Sequence, residues 1–80
     1  MSHYIYIVEC ADGSFYTGYT TDVERRLTEH NGGTGAKYTR GRTPVSLAHT
    51  ESFETRSKAM AREYAIKQLS KGEKEQLINY

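Results

Sequence analysis

From His3 to Cys10 the chain alternates with a period of two, placing Tyr4, Tyr6, Val8 and Cys10 on one side and Ile5, Ile7 and Glu9 on the other. That pattern predicts a β-strand. Ser14 to Thr20 predicts a second, with Ser14, Tyr16, Gly18 and Thr20 against Phe15, Thr17 and Tyr19. The Asp12-Gly13 pair between them is a strong hairpin signal. Loop parity then decides which side chains share a face. A two-residue loop pairs Tyr6 with Tyr19 and sends Tyr16 to the opposite face. A three-residue loop, Ala11-Asp12-Gly13 with Gly13 in the left-handed region, pairs Cys10 with Ser14 and sets Gly18 opposite Tyr6. Both tyrosines then face one way, over a gap that lets a ligand approach the backbone. The sequence permits either loop.

The pattern changes to helical spacing after Thr20. Thr21-Asp22-Val23-Glu24 reads as a capping box, and the helix it opens runs to about Asn31, where Asn31-Gly32-Gly33 supplies left-handed residues to end it. Val23, Arg26, Leu27 and His30 share one face, so a cation and an imidazole intrude on a packing surface. From Gly32 to Pro44 there are four glycines, Lys37, Arg40, Arg42 and no acidic residue, which reads as a mobile basic loop. Val45 to Phe53 alternates again, Val45, Leu47, His49, Glu51 and Phe53 opposing Ser46, Ala48, Thr50 and Ser52, and predicts a third strand at a sheet edge. Thr55 caps a second helix reaching Leu69, and Gly72 interrupts before a short segment from Glu73 to about Ile78. Met60, Glu63 and Ile66 form an i, i+3 ladder that sets the Glu63 carboxylate between apolar neighbours. The whole predicts one α+β (α/β) domain, a three-stranded antiparallel sheet made of a hairpin plus a third strand and flanked by helices.

Composition narrows the class. The chain has 80 residues, 36% hydrophobic and 26% charged, with no apolar run near the ~20 residues of a membrane helix. With no export signal at Met1-Ser2-His3-Tyr4, a soluble, cytoplasmic protein is expected. The single cysteine, Cys10, lies in a strand and packs as a small hydrophobe. Three histidines without close spacing and one cysteine do not make a zinc site. A net charge of +1 lacks the bulk basic balance of many nucleic-acid binders, so the distribution of charge matters more than its sum. Seven tyrosines form a heavy phenol load, and a phenol can pack, donate, accept or ionise.

Tyr4-Ile5-Tyr6, then Tyr16-Thr17-Gly18, then Arg26 on the next helix and Glu63 on the following one, resemble the GIY-YIG nuclease superfamily. The runs Thr20 to Leu27, His30 to Gly33 and Gly35 to Thr39 are similar in particular to its small single-domain bacterial members of poorly defined function, and to a related structure-selective nuclease subunit. The resemblance spans residues 3 to 69. Two positions depart from the motifs, Tyr4 in place of a glycine and Thr17 in place of an isoleucine. Some repair nucleases of the superfamily carry a lysine where this chain has Tyr19, a charge that Lys37 is the candidate to replace.

The resemblance implies Mg²⁺-dependent (or Mn²⁺-dependent) hydrolysis of phosphodiester bonds with one ion, in nucleic acid with DNA favoured over RNA, of the kind used in DNA repair or recombination. By resemblance Tyr6 is the general base, Tyr16 orients water or phosphate, Arg26 binds phosphoryl oxygens, His30 assists and Glu63 holds the metal. A phenol with a pKa of about 10 is roughly 0.1% ionised at pH 7, so Tyr6 serves as a base only where cations lower that value. One carboxylate with several waters suits Mg²⁺. Gly18, Lys37, Tyr38, Arg40 and Arg42 are the expected nucleic-acid contacts, the cations on phosphates and Tyr38 free to stack on a base. Taken singly each residue has an ordinary role, as a strand aromatic, a surface arginine, a Glu63–Lys67 pair or a histidine at a helix carboxyl end. Their order and spacing together favour the nuclease. The alternatives are a nucleic-acid-binding module with little or no cleavage, and an adaptor that binds a protein through its sheet edge. A protein partner supplying specificity fits so small a domain.

Overall fold

The computed structural model describes residues 2–79. Three strands, β1 (His3–Glu9), β2 (Phe15–Thr20) and β3 (Ser46–Phe53), form an antiparallel sheet in the order β2-β1-β3. β1 is central because it carries the most apolar run, with Ile5, Ile7 and Val8 fully buried. β3 lies at an edge, as its pattern predicts. Helices α1 (Val23–Asn31), α2 (Arg56–Lys67) and α3 (Lys71–Ile78) complete the α+β architecture. Among the described residues no helix is long and apolar enough to cross a membrane.

The hairpin resolves the parity question. Gly13 has φ +84°, the Cys10 N–H donates to the Ser14 carbonyl at 2.8 Å, and the Gly13 N–H donates to the Cys10 carbonyl at 2.9 Å. This is the three-residue loop, and it sets Tyr6 opposite Gly18 and Val8 opposite Tyr16. Each sheet face then has its own core. Ile5 and Ile7 pack with Ala59 and Ile66 of α2, joined by Phe15, Tyr19, Phe53, Leu69, Leu77 and Ile78. Tyr6, Val8, Cys10 and Val45 form the other cluster with Tyr16 and Leu27 of α1.

Three boundaries differ from the sequence reading. Asp22 rather than Thr21 is the first cap, its Oδ1 accepting from the Arg25 N–H at 3.0 Å, while Thr20 Oγ1 accepts from the Asp22 N–H at 3.0 Å. A carboxylate caps as well as a hydroxyl, and the buried Thr20 fixes the register. In β3 the alternation breaks, since Ile7 faces His49 and Val8 faces Leu47, leaving Ala48 as an extra residue. Leu47 therefore leaves the face of His49, Glu51 and Phe53. The break between α2 and α3 falls at Ser70, which forms a capping box with Glu73, and Gly72 lies inside the first turn of α3 instead of interrupting the chain.

The segment from residue 32 to 44 is pinned. Asn31 Oδ1 accepts from the Val45 N–H at 2.7 Å and Asn31 Nδ2 donates to the Val45 carbonyl at 3.1 Å, so Asn31 ends the helix by clamping a strand. The positive φ belongs to Gly33, at +83°. The Ala11 N–H donates to the Arg42 carbonyl at 2.8 Å, and Thr39, in a single 3₁₀ turn (Lys37–Thr39), is wholly buried. The expectation of a mobile basic loop gives way to an anchored one, because a buried Thr39 holds its middle.

Thr17 stands on the α2 side with a buried Oγ1 that has no hydrogen-bond partner among the described residues. An unpaired buried hydroxyl costs about 1–3 kcal/mol, so Thr17→Val is expected to stabilise the fold by about 1 kcal/mol. Thermal unfolding should show the midpoint rising by about 4–8 °C. A fall would show that the hydroxyl has a partner.

Candidate active site

The Tyr6 ring lies across Gly18. A Cβ at position 18 would stand 2.6 Å from Tyr6 Cζ, and closer still to the hydroxyl, so only glycine leaves the phenol its place. Tyr6 is almost wholly buried, yet its hydroxyl meets His30 Nε2 at 2.8 Å. Tyr16 stands beside both, its ring centroid 6.4 Å from Tyr6 and 5.3 Å from His30. Helix α1 delivers His30 and Arg26 from the same face because they are one turn apart. His30 is fully buried, and Gly35 makes this possible, since a Cβ there would strike the imidazole Nδ1 and approach His30 Cα to 2.8 Å.

The far side of the imidazole is held by Thr39, which the sequence reading did not single out. His30 Nδ1 lies 2.8 Å from Thr39 Oγ1, and Thr39 Oγ1 donates to the Ala36 carbonyl at 2.9 Å. The hydroxyl proton being spent on Ala36, its oxygen accepts, so Nδ1 carries the imidazole proton. Nε2 is then the acceptor and Tyr6 the donor. The Ala36 N–H, 3.4 Å from Nδ1, is the weak contact that this assignment gives up. Thr39 closes the Gly35–Thr39 run of the resemblance, but its role shows only in its burial within a basic loop, visible in three dimensions.

Electrostatics set the resting state. Burial pushes the Tyr6 pKa up to about 12, and Tyr16 and the Glu63 charge add to the rise, while the Arg26 guanidinium opposes it by hydrogen bonding and charge. The nearby cation therefore does not lower the phenol below its ordinary value. Burial also lowers His30 from 6.5, with the Arg26 charge adding to the effect and Glu29 opposing it. Both partners are neutral at pH 7. Arg26 itself pairs with Glu29 at 3.1 Å on a half-buried flank of α1.

Glu63 approaches from the other side of the sheet. At about 100° per residue, Arg62 and Glu63 flank the buried Ala59–Ile66 stripe of α2 on opposite sides. Arg62 grips Glu51 of β3 at 2.9 Å, so Glu63 lies toward β2 and its tyrosines. Its side chain is 13% exposed and 3.8 Å from Lys67. Tyr19, following Gly18, sits on this side with the Arg56 guanidinium 5.7 Å from its ring centroid. Among the described residues no three histidine, cysteine or acidic side chains gather into a metal cluster. A lone carboxylate of this kind fits a hydrated Mg²⁺, which takes most of its ligands from water and would need only Glu63 from the protein.

The basic loop is arranged differently from expectation. Tyr38 is stacked on Tyr16 at 5.8 Å, and the Arg42 guanidinium covers its ring at 4.5 Å. Arg42 also pairs with Asp12 at 2.8 Å. The Tyr38 ring and the Arg42 guanidinium are therefore both engaged within the protein in this structure, while both side chains stay partly exposed. Lys37 and Arg40 are exposed and make no ion pair among the described residues.

The sheet, the hairpin parity and the convergence of Tyr6, Tyr16, Arg26 and His30 define a nuclease-type fold, and residues 2–76 match the GIY-YIG catalytic domain family. The chain belongs to the GIY-YIG family. It is similar to small relatives known as UPF0213 proteins: 68% identical to one from Halobacterium salinarum, over 95% of this chain and 99% of the relative, and 57% identical to one from Halalkalibacterium halodurans, over 99% and 84%. Solution NMR structures of the UPF0213 protein of Bacillus halodurans (TM-score 0.64, 57% identity) and of a protein of Enterococcus faecalis (TM-score 0.67, 59% identity) are also similar, each comparison covering 99% of this chain and 84% of that one.

Replacing Thr39 by valine removes the acceptor for Nδ1–H. The ring is then expected to move to the Nε2–H form, with the Ala36 N–H donating to Nδ1. Imidazole ¹⁵N shifts report the change directly, and Thr39→Ser should restore the wild-type pattern. Gly18→Ala is expected to cost about 1–3 kcal/mol by overpacking against Tyr6, measured by urea unfolding.

Proposed function

We propose that the protein is an endonuclease that hydrolyses phosphodiester bonds in DNA, with Glu63 holding one divalent ion. The observation that carries the reading is the convergence of a phenol laid across Gly18, its imidazole partner and an arginine. The ion, when bound, supplies positive charge to the scissile phosphate and to the leaving oxygen. Arg26 binds the non-bridging oxygens as their charge grows, and Tyr16 orients the phosphate.

Tyr6 is protonated in roughly all but one molecule in 10⁵ at pH 7, given its high pKa, so it does not wait as a phenolate. It works instead as a relay. The attacking water loses a proton to the Tyr6 oxygen as the Tyr6 proton passes to His30 Nε2, a new P–O bond forms and the bond to the leaving oxygen breaks. Thr39 holds Nδ1–H throughout, so Nε2 always begins as an acceptor. A binding module with little cleavage is the second reading, supported by the same high Tyr6 pKa and by the Glu63–Lys67 pair.

Nicking of branched, flapped, single-stranded and duplex DNA with Mg²⁺ tests the proposal. Glu63→Gln and Arg26→Ala are expected to lose activity by about 10²-fold or more, the scale of losing one preorganised charge at a reaction centre. Wild-type protein that shifts DNA but nicks nothing above the Glu63→Gln background would sink the enzyme reading and leave the binding module. The pH profile carries a second signature. His30 must be neutral to accept a proton, and burial together with the Arg26 charge holds its pKa below 6.5 against the opposing charge of Glu29. The rate should therefore rise with pH along an acid limb below pH 6.5 and be level through neutrality.

A further inference from the structure

Beside the hairpin loop lies a groove of about 260 Å³ lined by Asp12, Ser14, Phe15, Tyr38, Lys71 and Lys74. The sequence reading gave α3 no role. Its place is fixed by Leu77 and Ile78, which pack into the same cluster as Phe15, so the first turns of the helix stand against the hairpin. Lys71 and Lys74 are one turn apart and share the face that borders the groove. Neither makes an ion pair among the described residues, although the Lys71 ammonium lies 5.9 Å from the Phe15 ring centroid. Glu75 of the helix and Glu9 border Lys71 on its other side, in an adjoining groove, and not within this one. Glu73 is turned back to accept from the Ser70 N–H at 3.0 Å, and neither it nor Glu75 lines the groove. Asp12 does line it, but its carboxylate is held by Arg42 at 2.8 Å.

The groove is joined to the candidate active site through one aromatic wall. Tyr38 borders the groove and stacks on Tyr16 at 5.8 Å, and Tyr16 stands 6.4 Å from Tyr6. A strand whose phosphate lies at Arg26 and Tyr16 would pass along Tyr38 and its Arg42–Asp12 pair to reach the two lysines. Cations that follow a backbone beside aromatic rings are the usual makeup of a single-strand track, and the groove has room for one nucleotide rather than a duplex.

We infer that Lys71 and Lys74 of α3, with Tyr38 and the hairpin loop, form a track for the single-stranded nucleic acid flanking the scissile phosphate. The inference rests on the nucleic-acid reading of the neighbouring site. The two lysines neutralise successive phosphates, and the Tyr38 edge and Phe15 meet the sugar and base without reading sequence. The helical tail is then part of the substrate surface, giving this small domain a second hold on a strand that the catalytic face grips at one phosphate.

Binding of fluorescent oligo-dT and oligo-U to the full chain, measured by anisotropy over a salt series, tests it. Lys71→Gln/Lys74→Gln is expected to lower the slope of log K against log salt by about 1.4, two phosphate contacts at ~0.7 each on a single strand. Lys74→Gln alone should remove about half of that. Lys58→Gln, on the exposed side of α2, controls for net charge, and thermal midpoints verify folding. A slope in the double variant no lower than in Lys58→Gln overturns the track, and if the wild type still binds and Lys37→Gln/Arg40→Gln lowers its slope, the nucleic-acid reading survives without it. Wild-type protein that binds neither oligonucleotide at low salt overturns both. Equal effects on DNA and RNA place the contacts on phosphate; loss on one alone assigns the track to that strand.

Discussion

The Tyr6 phenol occupies the space that a side chain at position 18 would fill, and much else in the molecule depends on that occupation. It requires the odd hairpin loop, because only that register brings Gly18 opposite Tyr6. It draws His30 into the core of a helix face that would otherwise be aliphatic, since a buried hydroxyl needs a partner. His30 in turn requires a small residue at Gly35 and an acceptor at Thr39. One close approach of a ring to a backbone thus propagates through β2, α1 and the loop before β3.

The same burial determines the chemistry the site has available. Desolvation raises the phenol and lowers the imidazole, so the pair holds one proton between two neutral groups. Such a pair has little charge to offer in the resting state and gains it only as a proton moves. Arg26, on the edge of the pair, favours negative charge on Tyr6 and disfavours positive charge on His30. On the proposed reading, this pair moves a proton in step with the build-up of charge on a phosphate, when a growing anion offsets what Arg26 opposes.

The strands, their order of polarity and the helices were legible because periodicity responds to burial, and here each sheet face has a core. The convergence of Tyr6, Tyr16, Arg26 and His30 was legible only conditionally, since Asp12-Gly13 allows two loops of opposite parity. What stayed hidden was decided by contacts between distant residues. Leu47 changes face because Ala48 bulges, and nothing in an alternating sequence announces an extra residue. Tyr38 and Arg42 looked like free ligands for nucleic acid, yet an aromatic ring and a guanidinium satisfy each other when Tyr16 and Asp12 hold them in place. Thr39 ended one of the runs that carry the resemblance but with no role attached, since that role arises from a hydroxyl meeting an imidazole across a loop.

The Asn31 clamp on Val45 makes a closed compartment of the intervening chain. Both backbone groups of Val45 are held by a side chain on α1, so the entrance and exit of the loop are fixed to each other rather than to the loop's contents. Residues between them can be lengthened or exchanged without moving the start of β3, at a closure cost that grows only slowly with length. The exception is the stretch from Gly35 to Thr39, which touches His30. The loop thus holds two different materials: exposed side chains such as Lys37 and Arg40, free to vary, and a backbone span from Gly35 to Thr39 that cannot change without disturbing the imidazole it holds.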